Sequence, residues 1–169
     1  MEENVSTRQP NSRFCFVCGV KNPVGLKMVF EQTGPGEVSA VITVPEHFEG
    51  YPGVVHGGIT AAMLDEAACR VYMNEDPPRF LFTARLEIRY RKNVPTQTPL
   101  RLVGKALKDR GRTVTAHSAL YLEDGTLLAE GEALMVDVPE EMSRDADLDA
   151  VGWRVYSDEE LASATSKQS

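Results

Sequence analysis

The sequence predicts an α+β fold in which an antiparallel sheet of about six strands wraps one long central helix. Two observations carry this expectation. A proline-free, almost wholly apolar run extends from Gly57 to about Asn74, and strand-length segments bounded by Gly, Pro and Asp turns lie on both sides of it. The length of 169 residues and the 42% hydrophobic content suit a single core.

Taken in order, residues 1–12 are polar and are expected to form a flexible tail. The folded domain is expected over 13–138. Strands are expected at 26–32 and 37–44, joined by the breaker-rich turn Thr33-Gly34-Pro35-Gly36. A loop over 45–53 leads into the helix, whose interior of Ala, Met and Leu loses little entropy on folding. Apolar residues on nearly every face mark it as enclosed. Asp76-Pro77-Pro78 should close its exit. Further strands are expected at 80–90, 100–108, 113–122 and 127–138. In the first of these Leu86, Ile88 and Tyr90 alternate with Arg85, Glu87, Arg89 and Arg91, giving one buried and one wet face. Residues 139–169 form an acidic extension. Within it Ser157-Asp158-Glu159-Glu160 reads as a helix cap, and Trp153 and Tyr156 are expected to anchor the segment.

A formal charge of −7 argues against nucleic-acid binding and against attraction to anionic membranes. No stretch has the length of a transmembrane helix, and the polar start is unlike a signal peptide, so a cytoplasmic location is expected. Three cysteines, one of them (Cys69) inside the apolar helix, do not make a disulfide framework. Cys15-x-x-Cys18 lacks a second Cys or His pair to complete four ligands, so packing is expected and metal is not.

Chemistry concentrates on the helix. Asp65 and Glu66 are adjacent carboxylates in an apolar run, and burying such charges costs several kcal/mol unless something solvates them. Gly57 and Gly58 follow His56 at the helix start, where bare N–H groups and the positive end of the helix dipole can meet an anion or a polarised carbonyl oxygen. Asp65, nine positions beyond His56, lies about 13 Å further along the axis, too far to serve a carbonyl held at its own helix start. Two antiparallel helices bring Asp65 of one chain to the glycines of another, which implies a homodimer with two shared sites, a dimer of dimers being the larger option. Long strands with an unpaired edge offer a way to join the sheets.

The run Gly53-Val54-Val55-His56-Gly57-Gly58 with its acid at Asp65 resembles the His-Gly-Gly signature of hotdog-fold acyl-CoA thioesterases, of the phenylacetate-pathway and 4-hydroxybenzoyl-CoA type. Cys15-Phe16-Val17-Cys18-Gly19 with Asn22-Pro23-Val24-Gly25-Leu26, and Thr83 through Tyr90, extend the resemblance over about residues 13–138. It implies the hotdog fold, hydrolysis of an acyl-CoA thioester and no cofactor. Asp65 becomes the essential acid, either a base acting on water or a nucleophile. His56 becomes a positioning group, and Thr83 a polar residue facing the reacting centre.

Glu66, about 100° further round the helix, is expected to pair with Arg70 or a strand arginine, a share in substrate binding staying open. Lys108, Arg110 and Arg112 flank Gly111 in a turn expected beside the helix N-terminus, where they can meet coenzyme A phosphates; Arg91 and Lys92 are a second basic patch. Phe48, Tyr51, Phe80 and Phe82 are candidates for lining an acyl pocket. Two other readings stand beside hydrolysis. His47-Phe48-Glu49-Gly50 faintly echoes hotdog dehydratases of 3-hydroxyacyl thioesters, and some hotdog domains only bind acyl-CoA.

Overall fold

The computed structural model describes residues 6–74, 78–144 and 147–165. Its elements in chain order are β1 (Thr7–Arg8), β2 (Glu31–Gly34), β3 (Glu37–Thr43), β4 (Glu49–Tyr51), β5 (Val54–Val55), α1 (Gly57–Arg70), β6 (Leu81–Tyr90), β7 (Pro99–Asp109), β8 (Thr113–Leu122), β9 (Leu127–Asp137), α2 (Glu140–Arg144) and α3 (Asp158–Thr165). Among the described residues seven strands form one antiparallel sheet in the order β1-β2-β3-β7-β8-β9-β6, and β4 pairs with β5 in a separate hairpin before the helix. The expected arrangement, an antiparallel sheet with one long helix against it, is present.

The helix packs on one face of the sheet through Met63, Leu64, Ala67 and Ala68, all fully buried against a core that includes Val38, Leu100, Leu102, Ala116, Leu120, Ala133 and Met135. It comes close to the sheet backbone at Gly104 of β7. A Cβ there would stand 2.5 Å from the Ala67 carbonyl oxygen, so only glycine lets the sheet backbone come this near. That contact fixes α1 across the sheet and places its exposed N-terminal turn and its Asp65 relative to β6.

Four expectations are corrected. Residues 7–12 are not a free tail: β1 pairs with β2 at the sheet edge, and Gln9 and Asn11 are buried. Asn11 donates to the Cys18 and Met28 carbonyls at 2.7 and 2.8 Å, which compensates its burial. The expected tail's residues 1–5 lie outside the described residues. The strand expected at 26–32 begins only at Glu31, because Leu26 and Met28 donate their backbone N–H groups to the Phe16 and Val17 carbonyls instead of to a sheet neighbour. The loop over 45–53 contains a short 3-10 turn and β4. The helix ends at Arg70 rather than near Asn74: Tyr72 and Met73 donate to Cys69 and Arg70, tightening the chain into turns before the described residues break off at 75–77, where most of the expected Asp76-Pro77-Pro78 exit lies.

The remaining strands fall within one or two residues of expectation. The capping box is present as read: Ser157 N–H donates to Glu160 Oε2 at 2.9 Å, and Glu160 N–H to Ser157 Oγ at 3.3 Å. Trp153 meets Phe80 edge-on at 5.5 Å between centroids, and Tyr156 is buried. No helix among the described residues is long and apolar enough to cross a membrane.

Candidate active site

Asp65 sits on the face of α1 that looks toward the edge strand β6. There the Thr83 hydroxyl donates to its Oδ1 at 2.7 Å, and the same Thr83 oxygen lies 3.7 Å from Cys69 Sγ. Partial burial raises the Asp65 pKa above the ordinary aspartate value, the Thr83 hydrogen bond opposes that rise, and the charge on Glu66 adds to it. The carboxylate is therefore half-desolvated and held in one orientation by a single hydroxyl. A β-bulge at Ala84, between Thr83 and Arg85 in the β6–β9 register, reorients the strand beside this contact.

The helix N-terminus is built separately. His56 is the N-cap, and its Nδ1 accepts the Gly58 N–H at 2.9 Å. An accepting Nδ1 places the ring proton on Nε2, on an exposed side chain free to donate outward. Gly58's N–H is thus already occupied, whereas Gly57's has no protein acceptor among the described residues. Tyr90, at the far end of β6, donates its hydroxyl to the Gly57 carbonyl at 2.8 Å and ties the helix start to the edge strand. No sequence signal singled out Tyr90 for this role; it looked like the last inward residue of an alternating strand, yet it is 54% exposed.

The other candidates lie elsewhere. Glu66 turns away from Asp65 and bonds Arg70 Nε at 3.0 Å through Oε1, as the i,i+4 spacing predicts, while Oε2 faces Cys15 Sγ at 3.8 Å. Arg70 is fully buried between the Phe30 and Trp153 rings and also donates to the Pro10 carbonyl at 2.5 Å. The ligand atoms of Cys15, Cys18 and Glu66 lie within 4.8 Å of one another, a grouping able to hold a metal ion. Hydrogen bonding with Cys18 brings the Cys15 thiol down to about 7, while the same bond and burial push Cys18 up.

The turn carrying Lys108, Arg110 and Arg112 is not beside the helix N-terminus. The Tyr72 hydroxyl, just past the C-terminal end of α1, reaches the Lys108 and Thr115 carbonyls, and Arg79 ties down the turn through Asp109 and the Gly111 carbonyl. The crossing of α1 over β7 at Gly104 explains this: β7 runs past the end of the helix before it turns. Phe82 is 47% exposed on β6, and His47 is exposed with its ring 4.4 Å from Phe48.

Within one chain Asp65 and the Gly57 N–H lie eight positions apart on a straight helix, about 12 Å. The structure thus brings Asp65 to Thr83, and His56 to Gly57, Gly58 and Tyr90, as two separate clusters at different points along one edge strand. That strand is β6, whose outer edge pairs with no strand among the described residues.

Residues 52–129 match the model of the thioesterase superfamily. A solved thioesterase superfamily protein is 32% identical, with a TM-score of 0.67 over 74% of this chain and 61% of that one. Zebrafish thioesterase superfamily member 2 (20% identity, TM-score 0.62, 72% of this chain and 87% of that one) and a Streptococcus mutans protein bound to acetyl-CoA (18% identity, TM-score 0.60, 66% and 88%) share the fold. Among curated proteins, the mouse acyl-coenzyme A thioesterase THEM4 is 28% identical over 56% of this chain and 40% of its own length. An uncharacterized mitochondrial protein of Candida albicans is 26% identical over 65% of this chain and 52% of its own. The chain thus matches about half or less of these curated relatives' length. The fold is the hotdog fold, and the matches support the thioesterase superfamily.

Proposed function

We propose that this hotdog-fold chain is a thioesterase of the His-Gly-Gly branch that hydrolyses an acyl-CoA thioester as a homodimer with shared sites. The observation that carries this reading is the half-buried Asp65 carboxylate, held by Thr83 and facing an open strand edge, on the same helix whose exposed start leaves the Gly57 N–H unused. One chain separates these two groups by too much for a single carbonyl. Antiparallel pairing of two β6 edges sets two α1 helices side by side and brings Asp65 of each to Gly57 of the other.

In that arrangement the Gly57 N–H and the positive helix end polarise the thioester carbonyl and stabilise the oxyanion that develops from it. Gly58, its donor taken by His56, keeps the N-cap ring in place, and His56 Nε2–H points out as a second donor for the substrate. Asp65, poorly solvated, takes a proton from water as water attacks the carbonyl, and returns it to the coenzyme A sulfur as the C–S bond breaks; or the Asp65 carboxylate attacks directly, expelling the coenzyme A thiolate and forming an anhydride that water then opens to the free acid. Thr83 holds the carboxylate in position. The partner's Tyr72 end of α1, with its basic turn at Lys108, Arg110 and Arg112, then approaches the glycine end of the first helix, where coenzyme A phosphates need cations.

A curated relative is an acyl-CoA thioesterase and solved relatives carry acetyl-CoA or coenzyme A, which supports an acyl-CoA substrate. A cytoplasmic location and the absence of a cofactor in the hydrolytic step belong to the same proposal. The test is a hydrolysis screen across short, medium, long and aryl acyl-CoAs that reads thiol release. Turnover of at least one class is expected, and no turnover of any by folded dimer would remove the proposal.

A further inference from the structure

The CxxC turn gains a third donor that the sequence concealed. Cys15 and Cys18 come from the N-terminal segment, and Glu66 reaches them from the middle of α1, with fifty-one positions of chain between Cys15 and Glu66. We propose that Cys15, Cys18 and Glu66 form a site for a thiophilic divalent cation of the zinc type, which clamps the N-terminal segment onto the central helix.

The geometry is close to what such an ion needs. Tetrahedral zinc with bonds of about 2.3 Å to sulfur and about 2.0 Å to oxygen holds a sulfur and an oxygen ligand about 3.5 Å apart. Cys15 Sγ and Glu66 Oε2 already stand 3.8 Å apart, a few tenths of an ångström from that separation, and all three donor atoms lie within 4.8 Å of one another. The turn is shaped around the first sulfur. The backbone N–H groups of Val17 and Cys18 both point at Cys15 Sγ, at 3.4 and 3.5 Å, which favours a thiolate there. Gly19 closes the turn where any side chain is impossible: a Cβ would stand 2.3 Å from the Cys15 carbonyl oxygen.

Glu66 is divided between two tasks. Oε1 is committed to Arg70 and orients the carboxylate, as hydrogen-bonded ligands around metals commonly do, while Oε2 faces the sulfurs. Charge closes as well. Two thiolates, one carboxylate, a dication and the buried Arg70 guanidinium sum to zero, so the occupied cluster leaves no net buried charge. Two sulfurs with one carboxylate suit zinc better than copper(I), which disfavours the hard oxygen. Cys15 is only partly buried, which provides an entry path, and the fourth position falls to water. Both thiols are free, so a disulfide does not compete in this structure. The site is independent of the hydrolytic reading.

The test uses the full-length chain. Protein produced with added zinc and then desalted should carry roughly one zinc per chain by elemental analysis. Chelator-stripped protein titrated with cobalt(II) should develop thiolate-to-cobalt charge-transfer absorption and the visible bands of a tetrahedral ion. Cys15→Ala should weaken the charge-transfer band, the double variant Cys15→Ala/Cys18→Ala should abolish it, and Glu66→Gln should weaken cobalt binding by at least about tenfold. Circular dichroism reports whether each variant folds, and the wild-type titration needs no variant. Wild-type protein that holds no zinc and gives no thiolate-cobalt band overturns the proposal. So does a band that survives in the Cys15→Ala/Cys18→Ala double variant, or recovery of the reduced preparation with a Cys15–Cys18 disulfide.

Discussion

Replacing Thr83 with valine isolates the one hydrogen bond that holds Asp65. The two side chains are nearly isosteric, so the change removes the 2.7 Å donor and leaves the strand otherwise filled. A hydrogen bond to a charged group contributes about 1.5–3 kcal/mol, and the part-exposed setting of Asp65 calls for the lower end. About 1.5 kcal/mol is roughly tenfold in ionisation, so the already raised pKa of Asp65 should rise further. The acid limb of the kcat/KM profile reports this group in the free enzyme and should move up by about one pH unit. The alkaline plateau should fall by no more than several-fold, since a base of higher pKa is also stronger. The assay is thiol release from the best acyl-CoA across the acid range, in wild type and variant at constant ionic strength. An acid limb that stays in place while the variant folds and turns over would mean that Asp65 is not the titrating base.

Asp65→Asn keeps the acceptor for Thr83 but removes the charge, and it should lower kcat by at least about a hundredfold with little change in KM. Its stability should move the other way. Burial raises the native pKa of Asp65 above its unfolded value, so ionisation favours the unfolded chain and the wild type loses stability as pH rises through that range. At neutral pH the amide should therefore melt at the same temperature or higher in calorimetry. Gly104→Ala forces a methyl against the Ala67 carbonyl and should cost about 1–3 kcal/mol, seen as a Tm lower by roughly 3–10 °C. Replacing Lys108, Arg110 and Arg112 together with glutamine should raise KM for acyl-CoA and flatten its salt dependence while kcat stays unchanged; an unaltered KM would move the phosphate contact elsewhere.

The fold was legible because its signals are local. Periodicity marked β6 through β9, breakers marked their turns, and the absence of proline marked α1. The early half was harder, because the segment 26–30 reads as a strand on pattern while its backbone bonds are taken by Phe16 and Val17, far from it in kind and not marked by any repeat. The N-terminal segment looked like a tail because its polar residues Gln9 and Asn11 give no sign of the buried carbonyls that accept their side-chain N–H groups. At the site, Asp65 and the glycine turn stood out through chemistry alone: a carboxylate pair in an apolar helix, and bare N–H groups at its start. Tyr90 stayed hidden because its contact with Gly57 depends on the crossing of helix and edge strand. The basic turn was placed at the wrong end of α1 for the same reason, since crossing geometry follows from Gly104 against Ala67 and not from spacing along the chain. Glu66 was read correctly toward Arg70, but its other oxygen lies 3.8 Å from Cys15 Sγ of the CxxC turn, a long-range contact that no single-sequence pattern encodes.

The claim that each site is shared is tested most directly by mixing two inactive variants. Asp65→Asn lacks the acid at both sites of its dimer, and Gly57→Pro lacks the N–H donor at both. Proline is tolerated at a first helical position, so the second variant should fold. Subunit exchange, verified by native mass spectrometry, yields mixed dimers in which one site has both groups and the other has neither. Expected is the return of up to about half of wild-type thioesterase activity per mixed dimer, from parents that show almost none. Verified mixed dimers that stay inactive would mean that Asp65 and Gly57 of the same chain serve one site, against the 12 Å or so that the helix sets between them.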